Sequence, residues 1–393
     1  MFHAGFRRVN RASMSAGMKI ARVQAIPVRL PFRQVGPPAI ALGRPMTSID
    51  FLVVRVETDT GLVGWGEAPM GSWRIVKAIL DDFIGPTVVG RDCSDVPGLM
   101  RDLQKLVYVL GRYGLTMFAL SALDTALWDI SAKAAGVPLY QHVGGARQPV
   151  PAYISLWVAY KRDKAWDWES TDEAVLADRT RAALATGCRH VKLHGTAESD
   201  LRLIREVAGD GVGIMIDTMC RWSYEEAREA LTRLEPHGLY WFEEPLFPPE
   251  DFAGLARLRT ETGVPIAAGE NACTAYEFAA MFAARAVDFA QPNVTRVGGV
   301  TELRKVLALA DEHGVEVCPH AHFVGPGLLA TIHLMSARKR PGLVERTGVE
   351  LEASLYPPSV IDPVDGHYLP ADGPGLGCEP DPAVLESCRI RDA

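Results

Sequence analysis

Two rhythms of apolar and polar positions divide the sequence. From Lys19 to Gly66, β-rich runs (ARVQAIPVRLPF, DFLVVRVETD, GLVGWGEA) alternate with turn signals at Thr60-Gly61 and Gly64, the pattern of an antiparallel meander. From about Val76 to Gly136 the apolar spacing becomes helical, in VKAIL and in ALSALDTALWDISAKAAG, the second closed by Gly136-Val137-Pro138. The N-terminal third thus reads as an α+β unit.

After Gly144-Gly145, short apolar runs alternate with amphipathic helices. Eight such runs follow one another: PAYISLW, HVKLHG, GIMIDT, LYWFEE, PIAAGE, VDFAQPN, VEVCPHA and LVERT. Between them lie helices such as TDEAVLADRTRAALATG, SYEEAREALTRL, PEDFAGLARLRTETG and TELRKVLALADEHG, each closed by glycine or nearly so. Apolar strands alternating with helices predict a parallel sheet covered on both faces, and eight units of this size close a barrel. The predicted architecture is α/β: an extension over 1–17, an α+β unit over 18–145, a (β/α)8 TIM-type barrel over 146–355, and a segment over 356–393. That last segment is turn-rich from Gly366 and is expected to return to the first unit.

Composition narrows the functional classes. At 393 residues and 48% hydrophobic content the chain can bury a large core. A net charge of −7 with acids and bases mixed leaves no basic stripe for nucleic acid. No apolar run reaches the roughly 18 residues of a membrane span. Seven cysteines, an odd number without a C-x-x-C pair, argue against a disulfide framework and a zinc site, and point to a reducing cytoplasm. The first residues carry Arg7, Arg8 and Arg11 but no apolar centre, so they do not read as a secretory signal; a disordered extension is expected, with organelle targeting as the alternative. Met18, at the first strand-like run, offers a second start codon.

In such a barrel, catalytic groups sit at the C-terminal ends of the strands. The third run ends in Asp217, the fourth in Glu243-Glu244 and the fifth in Glu270-Asn271, so acids from three successive strands reach one rim. Converging carboxylates resist ionisation unless a cation sits among them, and oxygen-only ligands favour Mg2+ before Mn2+. The structural alternative is that they cap the helices that follow. In the second run, Lys192 and His194 share one strand face, which makes them candidate proton carriers. The seventh run supplies His320 and His322 with equal parity, which leaves open which of them serves.

This constellation resembles the enolase superfamily, and within it the mandelate racemase-like group. The resemblance runs from Met18 nearly to the end and rests on GWGEA, the ALSALDTALWDISAKAAGVPLYQHVGG stretch, IDT, FEEP, AAGEN, QPNVTRVGG, PHAH and DGPGLG in that order. It implies a capping domain over a modified barrel, one Mg2+ per subunit and a homo-oligomer. It also implies that the ligands are Asp217, Glu243 and Glu270, which selects Glu243 over Glu244. The family's K-x-K motif stands here as Lys192-Leu193-His194, its seventh-strand histidine matches His320, and its eighth-strand acid best matches Glu345, with Glu350 and Glu352 close by. Asn293 stands where racemase-like relatives carry the Asp paired with that histidine. An amide orients an imidazole without stabilising its charged form, so His320 is expected to be a poorer base. Met219, two residues after Asp217, is a further departure.

The reaction the resemblance implies is removal of the proton α to a carboxylate through a metal-stabilised enediolate. Dehydration of an aldonic or aldaric acid to a 2-keto-3-deoxy acid is the expected outcome, with racemase, epimerase or lactone cycloisomerase as alternatives. A metal-binding barrel without catalysis is the alternative from another class.

Overall fold

The computed structural model describes residues 17–38, 40–41, 44–71, 73–156 and 172–391. Except for Gly17, the expected extension lies outside them. Strands β1 (Ile20–Arg33), β2 (Ser48–Thr58) and β3 (Val63–Ala68) form the antiparallel meander, with Val28 opposite Phe51 and Val54 opposite Gly66. Helices α1 (Val96–Val107) and α2 (Gly114–Ala134) belong to the same unit. Asp95 starts α1 by accepting the Gly98 N–H at 3.0 Å. The GWG pattern has a packing cause: a Cβ on Gly64 or Gly66 would lie 2.0 or 1.8 Å from the carbonyl oxygens of Ala126 and Ala122, so only glycine lets β3 lie against α2.

Eight parallel strands follow: β4 (Val150–Ser155), β5 (His190–Leu193), β6 (Gly213–Asp217), β7 (Trp241–Glu243), β8 (Ile266–Ala268), β9 (Phe289–Ala290), β10 (Glu316–Val317) and β11 (Val344–Thr347). They neighbour one another in the order β10-β9-β8-β7-β6-β5-β4-β11, which brings the last run beside the first. Several strands are only two or three residues long, shorter than the apolar runs in the sequence, because the chain turns outward into rim loops. Around them lie α3 (Glu173–Ala185), α4 (Glu198–Ala208), α5 (Tyr224–Leu234), α6 (Phe252–Thr262), α7 (Thr274–Ala283), α8 (Gly299–His313) and α9 (Pro326–Ser336). Local chemistry sets their ends: Ser223 and Glu226 form a capping box at α5, and left-handed Gly263 and Gly314 close α6 and α8.

Strand parity builds the barrel interior in layers. Tyr153, Met215, Trp241, Ala267, Cys318 and Leu343 form a closed apolar cluster of their own, with Phe289 packed against it. Two positions further along the same strands come Ser155, Asp217, Glu243, Gln291, His320 and Glu345, so an apolar floor lies beneath a polar layer.

The two units interlock behind this layer. Ser121 and Asp124 of α2 accept the N–H groups of Gly298 and Thr301 at 2.9 Å each, at the start of α8. Glu67 of β3 accepts the Gly327 N–H at 2.8 Å, at the start of α9. Strand β12 (Glu350–Leu351) pairs with β1, giving a first sheet in the order β12-β1-β2-β3. The terminal segment passes β4, where Tyr368 lies opposite Val150, and then runs to the first unit, with the Ile390 N–H donating to Pro27 O at 2.9 Å. Among the described residues, no helix is long and apolar enough to cross a membrane.

Candidate active site and metal centre

Asp217 and Glu243 end β6 and β7, and Glu270 follows β8 by two residues. One carboxylate oxygen from each lies within 4.8 Å of the others. Between them and the floor stands Lys192, 1% exposed, with its ammonium 2.6 Å from Glu243 Oε1, 3.0 Å from Glu345 Oε1 and 3.4 Å from Asp217 Oδ2. Trp241 donates its indole N–H to Glu243 Oε2 at 2.9 Å, so the floor orients the acid above it.

Crowding determines the charges. Burial alone would lower Lys192, but Glu243 and Glu345 hold it well above its ordinary value, so it is an ammonium. Burial would raise Asp217 and Glu345; Lys192 leads the opposing attractions and brings both below the usual carboxylate range. Glu243 goes the other way. Burial first, then Asp217, Glu345 and Glu270, push it well up despite Lys192. One ammonium does not neutralise four neighbouring carboxylates. The donor set is oxygen-only and short of positive charge, which fits a hard divalent cation held by Asp217, Glu243 and Glu270.

The candidate proton carriers approach this cluster from different strands. His194 Nε2 lies 3.4 Å from Asp217 Oδ2, and its Nδ1 faces Leu156 O at 3.3 Å. His320 Nε2 lies 3.2 Å from Glu270 Oε2 and 3.8 Å from Glu345 Oε2, and its Nδ1 meets Asn293 Nδ2 at 2.8 Å. Burial pulls His320 below its ordinary value, against the pull of Glu270 and Glu345. His322 is half-buried, its ring 6.3 Å from that of His320, and burial takes it down to about 3.

Geometry separates the acids that sequence left close together. Glu244 turns away from Glu243: its carboxylate accepts from the Gly269 N–H at 3.0 Å and from Asn271 Nδ2 at 2.8 Å. Glu345 is 1% exposed and also accepts the Ala321 N–H at 3.0 Å. Glu350 and Glu352 instead pair with Arg33 at 3.5 and 3.2 Å, on the first sheet. Met219 is 51% exposed with φ 53°, one of two successive non-glycine residues in the left-handed region.

Three contacts were missed from sequence. Arg296 Nη1 donates to Glu270 Oε1 at 2.9 Å, Thr295 holds Asn293, and Glu67 reaches the helix that follows the His320 loop. Thr295 and Arg296 lie inside QPNVTRVGG and Glu67 inside GWGEA, so the only available signal was their place in recognised runs.

Comparison with known proteins agrees with this geometry. Residues 23–144 match the model described as "Mandelate racemase / muconate lactonizing enzyme, N-terminal domain", and residues 175–384 the one described as "Enolase C-terminal domain-like". The chain is 31% identical to an arabinonate dehydratase from Saccharolobus solfataricus, over 87% of this chain and 91% of that one. It is 32% identical to a D-galactarolactone cycloisomerase from Agrobacterium fabrum, over 87% and 92%. Among solved structures, an L-talarate dehydratase from Polaromonas sp. JS666 complexed with Mg and L-glucarate is 27% identical, with a TM-score of 0.78 over 95% of this chain and 98% of that one.

Proposed function

The chain belongs to the mandelate racemase/muconate lactonizing enzyme family of the enolase superfamily, and from that premise we propose that it dehydrates an acid sugar to a 2-keto-3-deoxy acid. The observation that carries this is the meeting of Asp217, Glu243 and Glu270 with Lys192 and His194 on one flank and His320 on another. A single Mg2+ held by those three acids, with Mn2+ as a substitute, would polarise the substrate carboxylate and stabilise the charge that develops on it.

The chain's own residues supply the rest. Lys192, held as an ammonium, adds fixed positive charge beside the ligand acids and is a poor base. His194 is the base: with Nδ1 against the Leu156 carbonyl, its Nε2 is the nitrogen turned toward Asp217. It takes the α-proton, and the electron pair passes into the enediolate. Glu345, on the far side of Lys192, closes the polar layer against the carboxylate end of the substrate. Collapse of the enediolate then breaks the C–O bond of the β-hydroxyl, which takes the proton held by His194 and leaves as water, and the enol formed ketonises.

The cycloisomerase relative supports a second reading, in which an internal lactone oxygen leaves in place of the hydroxyl. Purified protein with Mg2+ should be offered aldonic acids, aldaric acids and their lactones, with 2-keto acid formation and α-proton exchange as readouts. Keto acid from an aldonate or aldarate is the expected result. Ring opening of lactones without keto acid would select the second reading, and no exchange with any of them would overturn both.

A further inference from the structure

The polarity of the Asn293–His320 hydrogen bond is determined by a third residue. The Thr295 backbone N–H and its hydroxyl both reach Asn293 Oδ1, at 2.8 and 2.7 Å. A backbone N–H can only donate, so the amide atom it meets is oxygen and the Asn293 NH2 is turned toward His320. That NH2 also only donates. His320 Nδ1, 2.8 Å away, must therefore accept, and the ring proton sits on Nε2. The opposite edge agrees, since Nε2 faces Glu270 Oε2 at 3.2 Å and a carboxylate oxygen accepts. Asn293 and Thr295 are each 1% exposed.

We propose that Thr295 is a positioning residue which, through Asn293, holds His320 as a neutral imidazole protonated on Nε2, so that His320 gives the substrate a fixed hydrogen bond and receives no carbon-bound proton. To become a base at Nε2, the ring would have to carry its proton on Nδ1, which sets two donors face to face across 2.8 Å. To give up its proton fully, it would have to become an imidazolate. Both routes are closed near neutral pH, so the proton transfers belong to the other flank.

His194 is oriented the other way. Its Nδ1 faces the Leu156 carbonyl, which only accepts, so Nδ1 carries a proton and Nε2 is the nitrogen turned toward Asp217 and the polar layer. One group then serves both half-steps. His194 Nε2 takes the α-proton as the enediolate forms, and returns it to the β-oxygen as the C–O bond breaks, so that water leaves. His320 Nε2–H polarises that oxygen throughout without losing its proton, as a neutral histidine can. The inference thus deepens the dehydratase reading to a one-face elimination and rests on it.

The test reads the tautomer directly. Protein labelled with 15N-histidine, with His320→Asn for assignment, should give a His320 ring with bare Nδ1 and protonated Nε2 in the two-bond proton–nitrogen correlation near neutral pH, without substrate. Thr295→Val keeps the backbone N–H that orients the amide and should keep this pattern, while Asn293→Asp, which offers Nδ1 an acceptor in place of the donating NH2, should add the Nδ1-protonated form. In a His194→Asn background, Asn293→Asp should recover α-proton exchange by about tenfold or more, because a carboxylate accepts Nδ1–H and frees Nε2 as a base. A wild-type His320 protonated on Nδ1, or an Asn293→Asp variant with unchanged ring signals, would overturn the inference. Failure of the dehydratase reading is distinct: the tautomer pattern would hold while no acid sugar exchanged its α-proton.

Discussion

Lys192 and Glu243, two strands apart in the barrel, meet at 2.6 Å with side chains 1% and 0% exposed. This pair links the apolar floor to the ligand acids, because the same ammonium also reaches Asp217 and Glu345. A buried charge is costly once its partner is removed. Lys192→Met should therefore destabilise the metal-free protein by about 3–5 kcal/mol, and Mg2+ should recover part of that by supplying the missing positive charge. Urea unfolding with and without Mg2+ measures both; an unchanged midpoint would mean that the ammonium does not hold the cluster together.

Glu270 is the acid of the proposed metal site that Arg296 holds, at 2.9 Å. Glu270→Gln should keep the fold and its melting temperature in chelator, lose the stabilisation that Mg2+ confers, and lower turnover on the order of 100-fold or more. Titration calorimetry and a thermal melt with Mg2+ check this. Wild-type affinity in the variant would place the metal elsewhere.

His194→Asn should lower exchange of the substrate α-proton in deuterium oxide by on the order of 100- to 10,000-fold, the usual contribution of a positioned base. Lys192 contributes charge, so Lys192→Arg should retain more exchange than His194→Asn does. The reverse ranking would make Lys192 the base.

Glu67 gives a pH signature of its own. Burial raises its carboxyl from 4.5 to about 8, despite N–H groups from the start of α9. Between pH 4.5 and 8 the unfolded chain releases this proton while the folded chain keeps it, so Glu67 makes stability fall as pH rises through that window. Glu67→Gln, which stays neutral, should match the wild type below that window and exceed it above, by up to about 5 kcal/mol at roughly 1.4 kcal/mol per pH unit. Denaturant unfolding at the two ends of the window gives the difference. A constant difference would mean that Glu67 is ionised in the folded protein.

Much of this protein was legible in its sequence because the relevant signals are local. The meander and the strand–helix alternation follow from side-chain periods of two and of about 3.6 residues, which each segment carries by itself. The acids ending the third, fourth and fifth runs could be read for the same reason: a strand's last residues face the rim whatever surrounds them. Separating the neighbouring acids took more. Family resemblance selected Glu243 over Glu244 and favoured Glu345 over Glu350 and Glu352, while the physical cause is the path of the chain, which sends Glu244 away to Gly269, and Glu350 and Glu352 to Arg33.

Only the tertiary structure decided the polarity of the site. Asn293 and His320 are 27 positions apart, and Glu67 meets Gly327 across 260. No periodicity reports which atom of an amide faces which ring nitrogen, since that depends on Thr295 donating from the turn after β9. The same holds for Lys192, whose ammonium is held by acids from three other strands. The sequence by itself determined which groups reach the rim. Charge state and tautomer depend on neighbours within a few ångströms, and those are assembled only when the barrel closes and the first unit locks onto α8 and α9.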